Sequence, residues 1–379
     1  MPRPDNSPLV DYALAGLERC WLPEFGRWSH IYHLDNRETP NESVPPSDLF
    51  YTINVLLGFA RVRGVPEAVN LAQVFYRNVA QLPKFPVSKY AYGAALWAGA
   101  ELRLDLPGEV VTHIRSLLAD HGNWRAQDIG MIVVGVVAQA KLNPREWSST
   151  ATELFRFLID RYLSRSGIFF DAAYGLRRRF ASFATQTYLT LACYAYGEFA
   201  NDHRAIETAN RCCRKLIALQ GPNGEWPWFF DAVRGRVVDF YEVYSVHQCG
   251  MAPAFLQPAE QCGVSEARAA LIRGFNWIFG QNQLAIPMLV PELQLTIRSQ
   301  VRQRELRSKR RRVLRAVRNS TFGINGTLID PADLTVRREC RSYELGWILW
   351  SFGHRLDLPE LTHNKIFSDA LKTTTSRVL

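Results

Sequence analysis

The chain has 379 residues, with 45 Lys and Arg against 36 Asp and Glu and a formal net charge of +9. Hydrophobic residues make up 47%, enough for a sizeable core, which excludes wholesale disorder. No apolar run reaches the ~18 residues of a membrane span, and the opening MPRPDNSPLVDY has no apolar signal segment, so a cytoplasmic protein is expected.

Helix-period patterns dominate from the start. The first is over residues 8–20. An irregular stretch to Pro46 follows, dense in aromatic and polar groups (Trp21, Trp28, His30, Tyr32, His33), and is a candidate to line a site. Ser47 is placed as the N-cap of a helix running to residue 63. Further helices are predicted over 66–81, 87–104, 108–121, 127–142, 148–163, 181–199, 202–219, 245–262 and 265–279. A broken helix over 284–319 and two more over 342–354 and 358–373 complete the series. The plausible strands are 167–172 and 237–244.

Two features narrow this all-α reading to one architecture. Segments such as MIVVGVVAQA and YAYGAALWAGAEL are apolar all round, whereas HRAIETANRCCRKLIAL is amphipathic. Buried helices alternating with half-solvated ones are what a double ring of helical hairpins needs. The hairpins follow one another without a strict sequence repeat or a Pro/Gly/Ser-rich linker, so the expectation is one (α/α)6 toroid domain over 1–379.

Charge is local. Between Arg298 and Arg318 ten basic residues accompany one acid, Glu305, leaving 35 basic and 35 acidic residues elsewhere. This arm, 298–318, would self-repel as a helix unless it meets an anion. An acidic polymer or an anionic membrane surface is the expected partner, a solvated loop the alternative, and nucleic acid is disfavoured for want of any other recognition motif. The seven cysteines form no CxxC pair and are read as reduced core residues. With no HExxH, GxGxxG, GxSxG or phosphate-loop motif, no metal or cofactor is expected.

Function is sought in 219–256, LQGPNGEWPWFFDAVRGRVVDFYEVYSVHQCGMAPAFL, where aromatics stand beside carboxylates, an imidazole and an amide. Sugars are held by such sets, their ring faces on aromatics and their hydroxyls on polar groups. Gln220-Gly-Pro-Asn-Gly-Glu-Trp226 is similar to turns of six-hairpin glycosidases and polysaccharide lyases, and also fits the QxxxGxW pattern of squalene-hopene-type terpene cyclases. YEVYSVHQCGMAP and ECRSYELGWILW resemble a poorly characterised bacterial toroid family associated with polysaccharide gene neighbourhoods. The likeness covers roughly 182–350 and implies a toroid fold and a carbohydrate-active enzyme. One departure is Cys249, where those relatives carry an acid after His-Gln, which leaves altered or lost activity open. The DxDD motif of a class II cyclase is missing.

Asp231, emerging from an aromatic wall, is expected to have its pKa raised by desolvation and to act as general acid, with Glu242 as its partner and Asp171 as substitute. A turn cap for Asp231 and a salt bridge for Glu242 are the structural alternatives. In an extended segment Glu242 and Tyr244 would face one cavity. Tyr244 with His247 implies, by resemblance to α/α-barrel lyases, proton abstraction from a uronate neutralised by Arg341 or Arg236. Trp226, Trp228, Tyr241, Gln248, Tyr343 and Trp347 are candidate sugar contacts, core packing being the alternative. Glu344 is explained by the helix dipole. Asp48, Tyr51, Asn54 and Asp128 rim the mouth or cap helices, and Cys249 as a nucleophile is a minor alternative. The leading expectation is a glycoside hydrolase or lyase acting on a poly- or oligosaccharide. A terpene-binding or cyclising toroid and a non-catalytic glycan-binding or scaffold protein are the alternatives.

Overall fold

In a computed structural model of the chain, residues 6–66, 69–120, 122–305, 309–322 and 330–375 are described. The helices in chain order are α1 (Pro8–Arg19), α2 (Ser47–Phe59), α3 (Leu71–Val79), α4 (Tyr90–Leu102), α5 (Gly108–Leu118), α6 (Ala126–Leu142), α7 (Pro144–Tyr162), α8 (Phe183–Ala200) and α9 (His203–Ala218). They continue with α10 (Ala252–Gln261), α11 (Ala267–Asn276), α12 (Lys309–Phe322), α13 (Ser342–Phe352), α14 (Pro359–Thr362) and α15 (Lys365–Thr375).

The all-round apolar segments become the inner ring. Helix α2 packs on α4, α4 on α6, α6 on α8, α8 on α10, α10 on α13, and α13 closes back on α2. Each of these except α10 is buried along most of its length because no face is polar enough to be left in water. The amphipathic helices form the outer layer: α3 on α2, α7 on α6, α9 on α8, α11 on α10 and α1 on α13. The (α/α)6 toroid is therefore the fold. Glycine makes the inner ring tight: a Cβ on Gly58 would meet the backbone of Gly346, and one on Gly135 the backbone of Gly93.

Several expected elements are corrected. Residues 284–302 hold no α-helix: Leu289–Val290, Leu295–Thr296 and Ser299–Arg302 are strands, with one 3-10 turn at Pro291–Leu293. Pro287 and Pro291 interrupt any helix there, and Leu295, Ile297, Ser299 and Val301 all bury in an extended segment. Ser47 makes no side-chain cap, whereas Asn70 and Ser182 do cap α3 and α8, accepting from Gln73 N at 3.0 Å and Thr185 N at 3.2 Å. The expected strand 237–244 divides into Arg236–Asp239 and Val243–Tyr244, which join different sheets. The predicted helix from Ser245 opens instead as a π-helical turn, His247–Met251, before α10.

Short strands at the N-terminal ends of the inner helices position the functional groups. Val243–Tyr244 pairs with Ser299–Arg302, which pairs in turn with Leu334–Arg337. Phe180–Ser182, Phe229–Asp231 and Arg236–Asp239 form a second sheet beside α8. Glu339–Cys340 pairs with Ile31–His33, bringing the aromatic N-terminal stretch to the same end of the ring.

Candidate active site

The groups that converge at the N-terminal ends of the inner helices centre on Arg298. Its N–H donates to Glu339 O at 2.8 Å and its carbonyl accepts from Ser245 N at 2.9 Å, so the backbone is clamped on both sides. Its guanidinium bridges two carboxylates, Glu344 at 2.5 Å and Glu339 at 3.3 Å, and lies 5.0 Å over the Tyr244 ring. Glu344 sits in the first turn of α13 and also accepts from Thr296 Oγ1 at 3.3 Å. Glu339 in addition holds Arg341 at 2.8 Å, and Arg341 reaches His30 Nε2 at 2.9 Å. Tyrosines close the set: Tyr51 stacks between His30 (4.7 Å) and Tyr343 (4.4 Å). His247 lies 5.1 Å from the Tyr244 ring and 4.6 Å from Phe183.

The electrostatics differ sharply from one group to the next. Burial pushes the Glu344 carboxyl up to about 7, against the pull of Arg298 and Arg341 and with help from Glu339. Burial, then Arg298, holds His247 down at about 3, and burial with Arg341 does the same for His30. Both imidazoles are therefore neutral near pH 7, and the buried His247 Nδ1 has no hydrogen-bond partner among the described residues. Glu344 is fully buried while Arg298, Glu339, Arg341, Tyr343, Tyr244 and His30 keep part of their surface open, so the cluster is polar and charged where it meets solvent. The ring's opposite end opens into a separate cavity of about 350 Å³, where Arg61 covers Trp350 at 3.6 Å and pairs with Glu101.

Of the residues singled out in the sequence, Tyr244, His247, Arg341 and Tyr343 are brought together here, with Trp347 buried beneath them against Tyr188. Glu242 lies next to this group: it is buried, accepts from Ser299 Oγ and holds Arg337 at 2.9 Å, which is the salt-bridge alternative. Tyr244, opposite Ser299 in the strand register, turns its ring to Arg298 instead.

Asp231 is a correction. It pairs with Arg179 at 2.6 Å and accepts from Ser320 Oγ, Val233 N and Arg234 N. Burial raises its pKa, but these donors outweigh it and the carboxyl titrates below its ordinary value. Asp231 is held by Arg179 and Arg236 and Glu242 by Arg337, so each carboxylate sits in an ion pair of its own. Arg236 serves the same post, donating to Ser320 O at 3.1 Å.

Trp226 is fully buried on Phe183 and Phe255, and Gln248 accepts from its backbone N–H, so neither faces the hollow. Tyr241 is buried beneath Arg302. Asp171 binds Thr185 Oγ1 at 2.6 Å and Arg177 at 2.9 Å. Trp228 keeps partial exposure at the start of α8, stacked on Phe229 at 4.6 Å. Asp48 is tied to Arg27 and Asp128 to Ser88 and Tyr90 N. The Cys249 thiol is buried, pushed well up by burial and by Glu344, and donates to Ser245 O, which removes it as a nucleophile.

Three groups escaped the sequence reading. By sequence Arg298 falls in the basic arm, Glu339 stands in no motif, and Glu344 is explained by the helix dipole. The available signal was the alternation through Leu295, Ile297, Ser299 and Val301, which marks a strand leading Arg298 inward.

The same toroid architecture recurs in proteins of solved structure. No protein-family model matches the chain, and no curated protein sequence does. Among solved structures, an unsaturated glucuronyl hydrolase specific for heparin is similar over 93% of this chain and 97% of its own, with a TM-score of 0.62 and 12% identity. The GH76A α-1,6-mannanase from Salegentibacter sp. HEL1_6 is similar over 92% and 98%, with a TM-score of 0.57 and 9% identity. A possible member of the GH105 family from Salmonella enterica is similar over 91% and 92%, with a TM-score of 0.55 and 11% identity. Among the described residues no helix is long and apolar enough to cross a membrane.

Proposed function

We propose that this chain is a carbohydrate-active enzyme, a glycoside hydrolase whose reacting groups are Glu344 and Glu339 on either side of Arg298. The observation that carries the reading is this bridge: two carboxylates on one guanidinium, at the N-terminal ends of the inner helices, with unlike surroundings. Glu344, its carboxyl pushed up by burial, holds its proton closer to neutral pH than an ordinary carboxyl does, as a general acid must. Glu339, partly open and paired with Arg298 and Arg341, is the group that meets either water or the sugar. Tyr343 and Tyr244 supply faces for a pyranose ring, Tyr51 backs Tyr343, and neutral His30 and His247 supply nitrogens for its hydroxyls. The similar folds belong to proteins described as acting on mannans and on unsaturated glucuronyl groups, which supports an oligosaccharide as substrate. The charged hollow speaks against a dry terpene cavity.

The test is to incubate the chain with α-1,6-manno-oligosaccharides and with unsaturated glucuronyl oligosaccharides and to follow new reducing ends. Glu339→Gln and Glu344→Gln should each lose at least about a hundredfold in turnover. Undiminished release by both variants would sink the assignment. A second reading, elimination by a lyase, draws on one observation: His247 is neutral, unbonded at Nδ1 and beside Tyr244, within the field of Arg298. It requires an unsaturated, ultraviolet-absorbing product, whereas hydrolysis gives reducing ends without it.

A further inference from the structure

We propose that α12 is a docking helix for an anionic lipid surface, seated on the rim of the toroid. One face of the helix is fastened to the body. Asn319 Nδ2 donates to Val238 O at 2.9 Å, Arg234 donates to Ser320 O at 2.9 Å, and Arg236 donates to Asn319 O and Ser320 O. Ser320 Oγ donates to Asp231, and Arg315 pairs with Glu305 at 2.7 Å. Ala316, Asn319 and Ser320 are buried by these contacts.

The opposite face is left apolar and cationic. Leu314 is 70% exposed, Val317 47% and Phe322 74%. At 100° per residue these three fall on the side away from Ala316, Asn319 and Ser320, interleaved with Arg311 and Arg318. Arg304, Arg311 and Arg318 are exposed and carry no ion pair among the described residues. Val233, 56% exposed, stands on the turn that grips Ser320. Arg298, Arg302 and Arg315 belong to internal pairs, so among the described side chains the uncommitted charge of the arm is that of Arg304, Arg311 and Arg318 on its outer surface.

A lipid interface is the occupant this face fits. Bulky apolar side chains enter the headgroup boundary while flanking arginines meet lipid phosphates and carboxylates. An acidic polysaccharide would engage the arginines but leave Leu314, Val317 and Phe322 in water. Because the strand Ser299–Arg302 leads from Arg298 at the hollow to the arm, docking would hold the mouth close to the surface, within reach of glycans carried there. The docking itself does not depend on the catalytic assignment.

The experiment is flotation of the full chain with phosphatidylcholine vesicles, with and without phosphatidylserine. Binding is expected only with phosphatidylserine present and should weaken as salt is raised. Leu314→Ser/Val317→Ser/Phe322→Ser and Arg311→Glu/Arg318→Glu should each lower partitioning at least about tenfold with unchanged thermal unfolding. As a reading independent of those variants, Leu314→Trp should shift its emission to the blue on the mixed vesicles. Absence of wild-type binding to phosphatidylserine vesicles at low salt would overturn the proposal. So would full binding by the apolar triple variant together with displacement by a soluble polyanion, which would make the helix a polyanion site.

Discussion

Glu344 and Asp231 are both buried carboxylates facing an arginine, one in the central hollow and one on the rim, yet their acidities move in opposite directions. The difference lies in the donors. Asp231 receives a guanidinium, a hydroxyl and two backbone N–H groups, so its charge is solvated by the protein. Glu344 receives Arg298 and the more distant Thr296 hydroxyl, shares its arginine with Glu339, and has the buried thiols of Cys249 and Cys340 around it. Proximity to an aromatic wall therefore says little about a carboxylate's proton; the count of donors says much more. Asp231 is a structural post and Glu344 a proton-holding group.

Exchanging each acid for its amide should break the two regions in different ways. Asp231→Asn leaves Arg179 beside a neutral group and weakens the turn at Val233 and the seat of α12. A loss of about 3 kcal/mol in unfolding free energy is expected, with turnover per folded molecule preserved. Glu344→Gln replaces a carboxyl that is protonated at mildly acidic pH by a near-isostere, so near pH 4.5 stability should shift by less than about 1 kcal/mol, while turnover collapses. Denaturant titration and initial rates on the same preparations decide it. A normally stable Asp231→Asn that is catalytically dead would reverse the roles argued above. Trp226 sharpens the same contrast: buried on Phe183 and Phe255, its replacement by Ala should cost about 3–5 kcal/mol, as a core residue does. Tyr343→Phe, removing one oxygen in the hollow, should cost under about 1.5 kcal/mol in stability and act on substrate affinity instead.

The ring of helices was legible because inner and outer segments differ in composition over ten or more residues, as MIVVGVVAQA against HRAIETANRCCRKLIAL. The site was legible only where its residues cluster in sequence: Tyr244 with His247, and Arg341 with Tyr343. The rest comes from separate short strands. Arg298 reaches Glu344 because Ser299–Arg302 pairs with Val243–Tyr244, and a register of two residues leaves no periodic trace. His30 arrives the same way, through Ile31–His33 on Glu339–Cys340. The aromatic density around Trp226 marked the right end of the ring but the wrong layer, since most of those rings build the wall behind Phe183 and His247.

The same contrast can be read as a slope with pH. The Glu344 carboxyl titrates at about 7 in the folded chain and at 4.5 when unfolded, so the folded state holds an extra proton between those values. Its stabilising contribution is complete below pH 4.5 and is lost as pH rises toward 7, by at most about 1.4 kcal/mol per pH unit. His247 and His30 run the other way. Folded at about 3 and unfolded at 6.5, they remain neutral where the unfolded chain takes up protons, so stability falls as pH drops from 6.5 toward 3. Between 4.5 and 6.5 the two trends oppose each other, and the wild-type curve alone hides both. Subtracting the unfolding free energy of Glu344→Gln from that of the wild type, pH by pH, isolates the carboxyl: the difference should decline from pH 4.5 to pH 7. Were it flat, Glu344 would be ionised throughout like Asp231, Arg298 would be solvating it fully, and the hollow would lose its proton donor.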